Sequence, residues 1–178
     1  MNDNFDISLD LVLREEGGFQ NDPNDRGNRL PDGRKGCTNM GITQLAWEQY
    51  IGNKVTTDDM HGLTKDQAAE FYRKNYWDAV QGDQLPIGID YAVFDCAVNM
   101  GVVRSIKLLQ RALKVNEDGV IGPETLQAMD GIYPRTLITD FCDERQAFYQ
   151  QLPDFGRYGK GWTKRVADVE QAAFNMAL

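Results

Sequence analysis

Histidine is nearly missing from this chain: His61 is the only one, and the three cysteines, Cys37, Cys96 and Cys142, are too widely spaced for paired metal ligation. The His- or Cys-rich zinc sites of metallohydrolases therefore have too few ligands, and no metal or cofactor is expected. An odd, scattered cysteine set reads as reduced thiols in a reducing compartment. Serine is limited to Ser8 and Ser105, neither in a G-x-S-x-G turn, and no glycine-rich phosphate loop or dinucleotide fingerprint occurs. Serine hydrolysis, nucleotide hydrolysis and hydride transfer are set aside. Positive charge is also short, 19 Lys and Arg against 27 Asp and Glu for a net charge of −8, which argues against a nucleic-acid partner. No run approaches the roughly 18 apolar residues of a membrane span, and the first twenty residues hold no apolar core of a secretory signal. The expectation is a soluble, monomeric protein made in the cytoplasm without stable membrane insertion.

What the chain has is carboxylate, glycine and helical periodicity. At 178 residues, 42% apolar and 26% charged, it fits one globular unit. Phe5, Leu9, Val12 and Leu13 make a helical stripe from Asn4 to Glu16, ended by Gly17 and Gly18. At about 100° per residue, Glu16 falls within roughly 20° of the stripe's centre and Glu15 roughly 100° away, so adjacent glutamates face different surroundings. From Phe19 to Asn39 the chain is crowded with Asn, Asp, Gly and Pro and is expected to be a polar loop or a small β-hairpin. Thr43 can cap a helix running to Ile51 and stopped by Gly52. Thr64-Lys65-Asp66-Gln67 is a capping box for a helix through about Trp77. Helices follow over 89–100, 103–114, 124–129, 135–151 and 161–177, so the chain reads as mainly α.

The informative window joins Glu16-Gly17-Gly18-Phe19 to Asn21-Asp22-Pro23-Asn24-Asp25 and Thr38-Asn39-Met40-Gly41-Ile42-Thr43. A carboxyl on the apolar side of a helix end is desolvated and can keep its proton, as a general acid must. A second carboxylate on the following loop, Asp22 or Asp25, would stay ionised and could direct a water or stabilise an oxocarbenium-like transition state, the pairing of a glycosidase. Against this, Glu16 could be a snorkelling helix-end residue and both aspartates plain turn formers. The loop lacks the D-x-D-x-D-G pattern of a calcium site. His61, followed by Gly62, reads as a turn residue. Aromatics at helical spacing, such as Tyr72 and Trp77, are either core or sugar platforms. Asp95 and Asn99, one turn apart, are either a satisfied polar pair or groove residues.

Leu13-x-x-Glu16-Gly-Gly-Phe19, Asn21-Asp22-Pro-x-Asp25-x-Gly27 and Thr38-Asn-x-Gly-Ile-Thr43 resemble the N-terminal signature of glycoside hydrolase family 108, N-acetylmuramidases often found as phage endolysins. The resemblance continues through 71–78, 90–95 and 99–101. Leu109–Leu113 with Asp118-Gly-Val-Ile-Gly-Pro-Glu-Thr125 is similar to the predicted peptidoglycan-binding segment that accompanies the family. It implies a lysozyme-like helical fold in one unit, with a glycosidase region over about 1–95 and a peptidoglycan-binding helical region over about 96–178. It also implies Glu16 as the essential acid. Lysozyme-like folds carry an Asp nine positions after the acid, which favours Asp25 over Asp22; Thr38, Thr43, Tyr72, Trp77 and Asn99 become candidate substrate contacts. Residues of about 28–35 stand out as an insertion. The implied activity is hydrolysis of the β-1,4 bond between N-acetylmuramic acid and N-acetylglucosamine in peptidoglycan, by a protein held in the host cytoplasm until a holin-like pore releases it. A lytic transglycosylase, or a non-catalytic wall-binding or secretion-assisting protein, is the rival reading.

Overall fold

In the computed structural model, which describes residues 4–177, the apolar stripe does fold as helix α1 (Asn4–Glu16), burying Phe5, Leu9 and Val12. The order then runs through a short 3-10 turn (Arg26–Asn28), a two-stranded antiparallel ladder of β1 (Thr38–Asn39) and β2 (Ile42–Thr43), and helices α2 (Gln44–Ile51), α3 (Thr57–His61) and α4 (Lys65–Tyr72). A π-helical turn (Arg73–Trp77) and a 3-10 turn (Gly82–Gln84) lead to α5 (Ile89–Met100), α6 (Val102–Ala112), α7 (Pro123–Gln127), α8 (Pro134–Gln150) and α9 (Phe155–Met176). The fold is mainly α with a small hairpin, and it is lysozyme-like. Among the described residues, no helix is long and apolar enough to cross a membrane.

The chain forms two compact units, one of residues 6–75 and one of the start of α1 with 76–177. In the first, the ladder pairs Thr38 with Thr43 and Asn39 with Ile42 around a two-residue turn. Met40 (φ 48°) and Gly41 (φ 74°) both take positive φ there, as a tight hairpin compatible with strand twist requires. Thr43 caps α2 by accepting from the Ala46 N–H at 3.2 Å. The reciprocal box of Thr64 and Gln67 opens α4. Helix α3 has too short a pattern to be read from sequence; its own Thr56–Asp59 capping box starts it, and the buried Asn39 side chain donates to the Met60 carbonyl at 2.9 Å.

In the second unit, α5 contacts α6, α8 and α9 and is buried on every side from Ile89 to Ala97. Apolar residues on every side make it a core helix, and its two buried acids, Asp90 and Asp95, are each held by partners. Helix α9 starts six residues before its expected beginning at Gly161. Glycines cost helix stability, about 1 kcal/mol each against alanine. Here Gly159 is buried where a β-carbon would lie 2.7 Å from the Phe155 ring, so the close packing requires a glycine. Trp162 stacks on Tyr149 with ring centroids 5.0 Å apart, adding aromatic packing that the propensity of the segment does not reveal.

Candidate active site

Glu16 is the last residue of α1, and the chain leaves the helix through Gly17 at φ 79°. Glu15 is exposed and Glu16 half-buried, as the helical stripe requires. The stem of Glu16 lies against the hairpin turn: a β-carbon on Gly41 would sit 2.7 Å from Glu16 Cβ and 2.6 Å from Tyr72 Oη. Tyr72 Oη in turn donates to the Met40 carbonyl at 2.8 Å. A strained two-residue turn is thus held by a tyrosine on one side and packed against the candidate acid on the other. Only a residue with no side chain fits at position 41.

The loop after α1 is ordered by its own amides. Asp25 is exposed, but both its oxygens are engaged: Oδ1 accepts from the Gly27 N–H at 2.8 Å, capping the 3-10 turn, and Oδ2 from Gln20 Nε2 at 2.7 Å. Asp22 uses Oδ1 to accept the Asn24 N–H at 2.9 Å in a local turn. The Gln20 side-chain Oε1 accepts from Asn28 Nδ2 at 2.7 Å and from the Asp22 N–H at 2.9 Å. Asn28, only 3% exposed, accepts from Thr38 Oγ1 at 2.9 Å. Main-chain bonds of 2.9 Å in both directions tie Gln20 to Thr38. Thr38 and Thr43 sit opposite one another on the ladder, so their side chains share one face. The sequence reading missed Gln20 and Asn28. The signal available was two amide residues set among the loop aspartates, where an amide can donate and accept at once.

The segment over about 28–35 is itself a hairpin. Arg29 bridges Lys35, Gly33 turns at φ 85°, and the Gly36 N–H donates to the Asn28 carbonyl at 2.7 Å. Arg34 fastens it to α2 with a two-pronged pair to Glu48, both bonds 2.8 Å, and Asp32 accepts from Arg34 and Lys54. Asn28 is therefore part of the site's framework and not the first residue of a spacer.

Two expected substrate contacts need correction. Trp77 is fully buried: its ring meets Phe5 and Phe94 edge-on at 5.3 and 5.5 Å, Gly82 lies against its indole, and Nε1 donates to Asp83 at 2.9 Å. It presents no face to a sugar. Tyr72 is 1% exposed and serves the hairpin turn. In both cases an aromatic at helical spacing is core. Asn99, in the second unit, is exposed and accepts from the Tyr149 hydroxyl. Asp95 is a core residue bound by Arg145 and Arg165. His61 ends α3 with its ring edge-on to Phe19 at 4.8 Å. All three cysteines are buried free thiols. Among the described residues, no group of three His, Cys, Asp or Glu could hold a metal ion.

A half-buried carboxyl at a helix end, followed by a polar loop that orients an exposed carboxylate, suits acid-assisted cleavage of an acetal. The model of the family described as Glycosyl hydrolase 108 matches residues 9–101, just over half of the chain. The chain belongs to that family. A second model, described as a predicted peptidoglycan domain, matches residues 104–167. Among solved structures, the chain is similar to SagA of Brucella abortus, with 38% identity and a TM-score of 0.82 over 98% of this chain and 95% of that one. No curated protein matches. The family and the second region make the protein a lysozyme-like glycoside hydrolase directed at peptidoglycan. The family match ends near the end of α5, at Gly101, whereas the first compact unit ends at Asn75. The two divisions of the chain do not coincide.

Proposed function

We propose that the protein is an N-acetylmuramidase, hydrolysing the β-1,4 bond between N-acetylmuramic acid and N-acetylglucosamine. The observation that carries this is the contrast at the end of α1: of two adjacent glutamates, only Glu16 packs against the hairpin turn, at the head of a loop that orients a second carboxylate. Glu16 gives its proton to the glycosidic oxygen as the bond to C1 breaks, and the positive charge that develops on the sugar is stabilised by Asp25. Gln20 and the Gly27 N–H hold Asp25 in orientation without cancelling its charge. Water then adds at C1, and the proton it loses restores the acid. Thr38 and Thr43, which share one face of the ladder, are the remaining candidate substrate contacts of this unit. The biological role that fits is that of a monomeric phage or prophage endolysin, kept in the host cytoplasm and admitted to the wall by a holin-like pore. A chain of net charge −8 has little attraction to the anionic surface of an intact cell.

The test is loss of turbidity of outer-membrane-permeabilised Gram-negative cells, with mass analysis of the products. The wild type should clear the suspension and leave reducing N-acetylmuramic ends, and Glu16→Gln should do neither. Products with 1,6-anhydro ends would mean a lytic transglycosylase instead. Equal activity of the Glu16→Gln variant would overturn the assignment.

A further inference from the structure

The second unit carries a cavity of about 510 Å³ along α6, whose walls include Val102, Val103, Arg104, Lys107, Arg111 and Phe148. That volume lies within the range of small-ligand sites. In a chain of net charge −8, the lining carries three cations and no carboxylate. Arg104, Lys107 and Arg111 follow at spacings of three and four, which puts them along one face of the helix. Arg111 is partly neutralised by Glu117 at 2.7 Å and Glu144 at 4.0 Å. The Arg104 guanidinium lies 4.5 Å above the Phe148 ring, and Lys107 is exposed within the field of Glu117 and Asp118. The rest of the lining is aliphatic, and Val103 is 59% exposed.

The Asp118-Gly119 turn buttresses this wall. Gln110 Nε2 donates to Asp118 Oδ1 at 2.7 Å and to Thr125 Oγ1 at 3.1 Å, while its Oε1 accepts from the Gly119 N–H at 2.9 Å. Gly119 turns at φ 78°, and a β-carbon there would lie 2.9 Å from Val103 Cγ1 and 3.4 Å from Lys107 Cε. The buried Gln110 therefore fixes the turn against the two side chains that line the cavity.

We infer that this cavity binds the carboxylate-bearing peptide stems of peptidoglycan, giving the enzyme a hold on the wall in addition to its recognition of the glycan. The inference rests on the peptidoglycan reading above. Charge complementarity selects the occupant. Cations beside aliphatic walls match acidic, aliphatic residues, whereas the lining has no amide or carboxylate side chain to take sugar hydroxyls, and its single aromatic ring is capped by Arg104.

The test is calorimetric titration of the whole protein with the free tetrapeptide L-Ala-D-Glu-meso-diaminopimelate-D-Ala, alongside digestion of sacculi. Saturable binding is expected in the wild type and in Glu16→Gln. It should weaken at least tenfold in Lys107→Glu and in Val103→Asp, two exposed positions whose folding is checked by circular dichroism, and it should fall with added salt. Absence of saturable binding, survival of binding in both variants, or equal competition by peptide-free glycan strands overturns the inference. If the wild type digests sacculi yet does not bind the peptide, the inference fails and the muramidase reading stands. If it binds the peptide and digests nothing, the reverse holds.

Discussion

Asp25 and Asp95 both have their two oxygens engaged, yet they are held in opposite ways. Asp25 lies exposed in the loop unit, and its partners are neutral: an amide side chain and a backbone N–H. Asp95 is fully buried in the helical unit, with Arg145 on Oδ1 at 2.7 Å and Arg165 on Oδ2 at 2.9 Å. Burial pushes the Asp95 carboxyl up, and the two guanidiniums more than offset it, leaving the group below the usual carboxylate range. Neutral donors fix the direction of a carboxylate and leave its charge to act on something else, whereas paired cations consume that charge. One arrangement suits a developing cation on a sugar, and the other locks α5 to α8 and α9.

The sharpest break in that comparison is a loss of chemistry in one unit against a loss of stability in the other. Glu16→Gln should lower turnover of sacculi by at least the roughly 10²- to 10⁴-fold attributed to general acid catalysis, with unfolding midpoints unchanged. Glu15→Gln should stay within a few fold. Asp95→Ala should instead cost about 3–5 kcal/mol in denaturant unfolding, because it strands the fully buried Arg145, whose Nε and Nη2 find no other protein acceptor among the described residues. The pH dependence has a definite sign. The folded-state value of Asp95 is depressed, so its contribution is complete above the unfolded value of about 3.9 and is lost as pH falls through the folded one. Asp90 works the other way, since burial raises it despite bonds from Asn4, Tyr91 and Gly88. The Asp90 contribution grows as pH falls toward about 3.9 and is complete there, so Asp90→Asn should remove a gain in stability above that pH and leave the Asp95 loss below it in place. A loss below about pH 3.9 that vanishes with Asp90→Asn, or a stability indifferent to Asp95→Ala, would break the contrast.

The helix framework was legible because period, caps and glycine stops agreed: α1, α2 and α5 begin and end where their stripes and caps place them. The difference between Glu15 and Glu16 was legible for the same reason, since burial on a helix follows from angle. What could not be read were contacts across long separations. Nothing near Tyr72 in sequence announces that its hydroxyl binds the Met40 carbonyl 32 residues earlier, and nothing near Asp95 announces partners 50 and 70 residues later. Trp77 and Tyr72 were misplaced on that account: an aromatic in a helix has the same periodicity whether it faces core or substrate. Gln20 and Asn28 were missed because side-chain hydrogen bonding in a loop leaves no period.

Gly41→Ala addresses the site through its support and should have a smaller effect than removing the acid. Positive φ costs a non-glycine residue about 1–3 kcal/mol, and the added methyl meets Tyr72 Oη and Glu16 Cβ inside contact distance. Turnover should fall by up to about 10²-fold as Glu16 is displaced. Tyr72→Phe alone should cost about 0.5–1.5 kcal/mol for the lost hydrogen bond to Met40. Combined with Gly41→Ala, it should recover part of the activity, since one of the two clashing atoms is gone. Strict additivity of the two changes would argue against a shared contact. The check is a double-mutant cycle on turnover and unfolding midpoint together.

The smallest effect is expected at the hairpin over 28–36, where charges again hold a carboxylate but at the surface. Arg34 holds Glu48 down to about 2, chiefly through the two-pronged hydrogen bond, with the Val55 N–H and Gln44 helping against desolvation. Asp32 is held lower still than its usual range, by Lys54 first and Arg34 second. Because the folded value of Glu48 is depressed, the fastening is complete above its unfolded value near 4.5 and is lost only as pH falls through about 2. Arg34 keeps about a third of its side chain in solvent, so the pair contributes modestly to global stability, and Arg34→Ala should lower the unfolding midpoint only slightly and leave neutral-pH turnover within a few fold. The change to look for is local. In the wild type, NMR signals of 29–36 should hold steady through pH 4.5 and move near 2. In Arg34→Ala, Glu48 should titrate close to its ordinary value and amide protection across the hairpin should fall. A wild-type hairpin that releases at pH 4.5, or a variant as inactive as Glu16→Gln, would mean that the segment does more than brace Asn28.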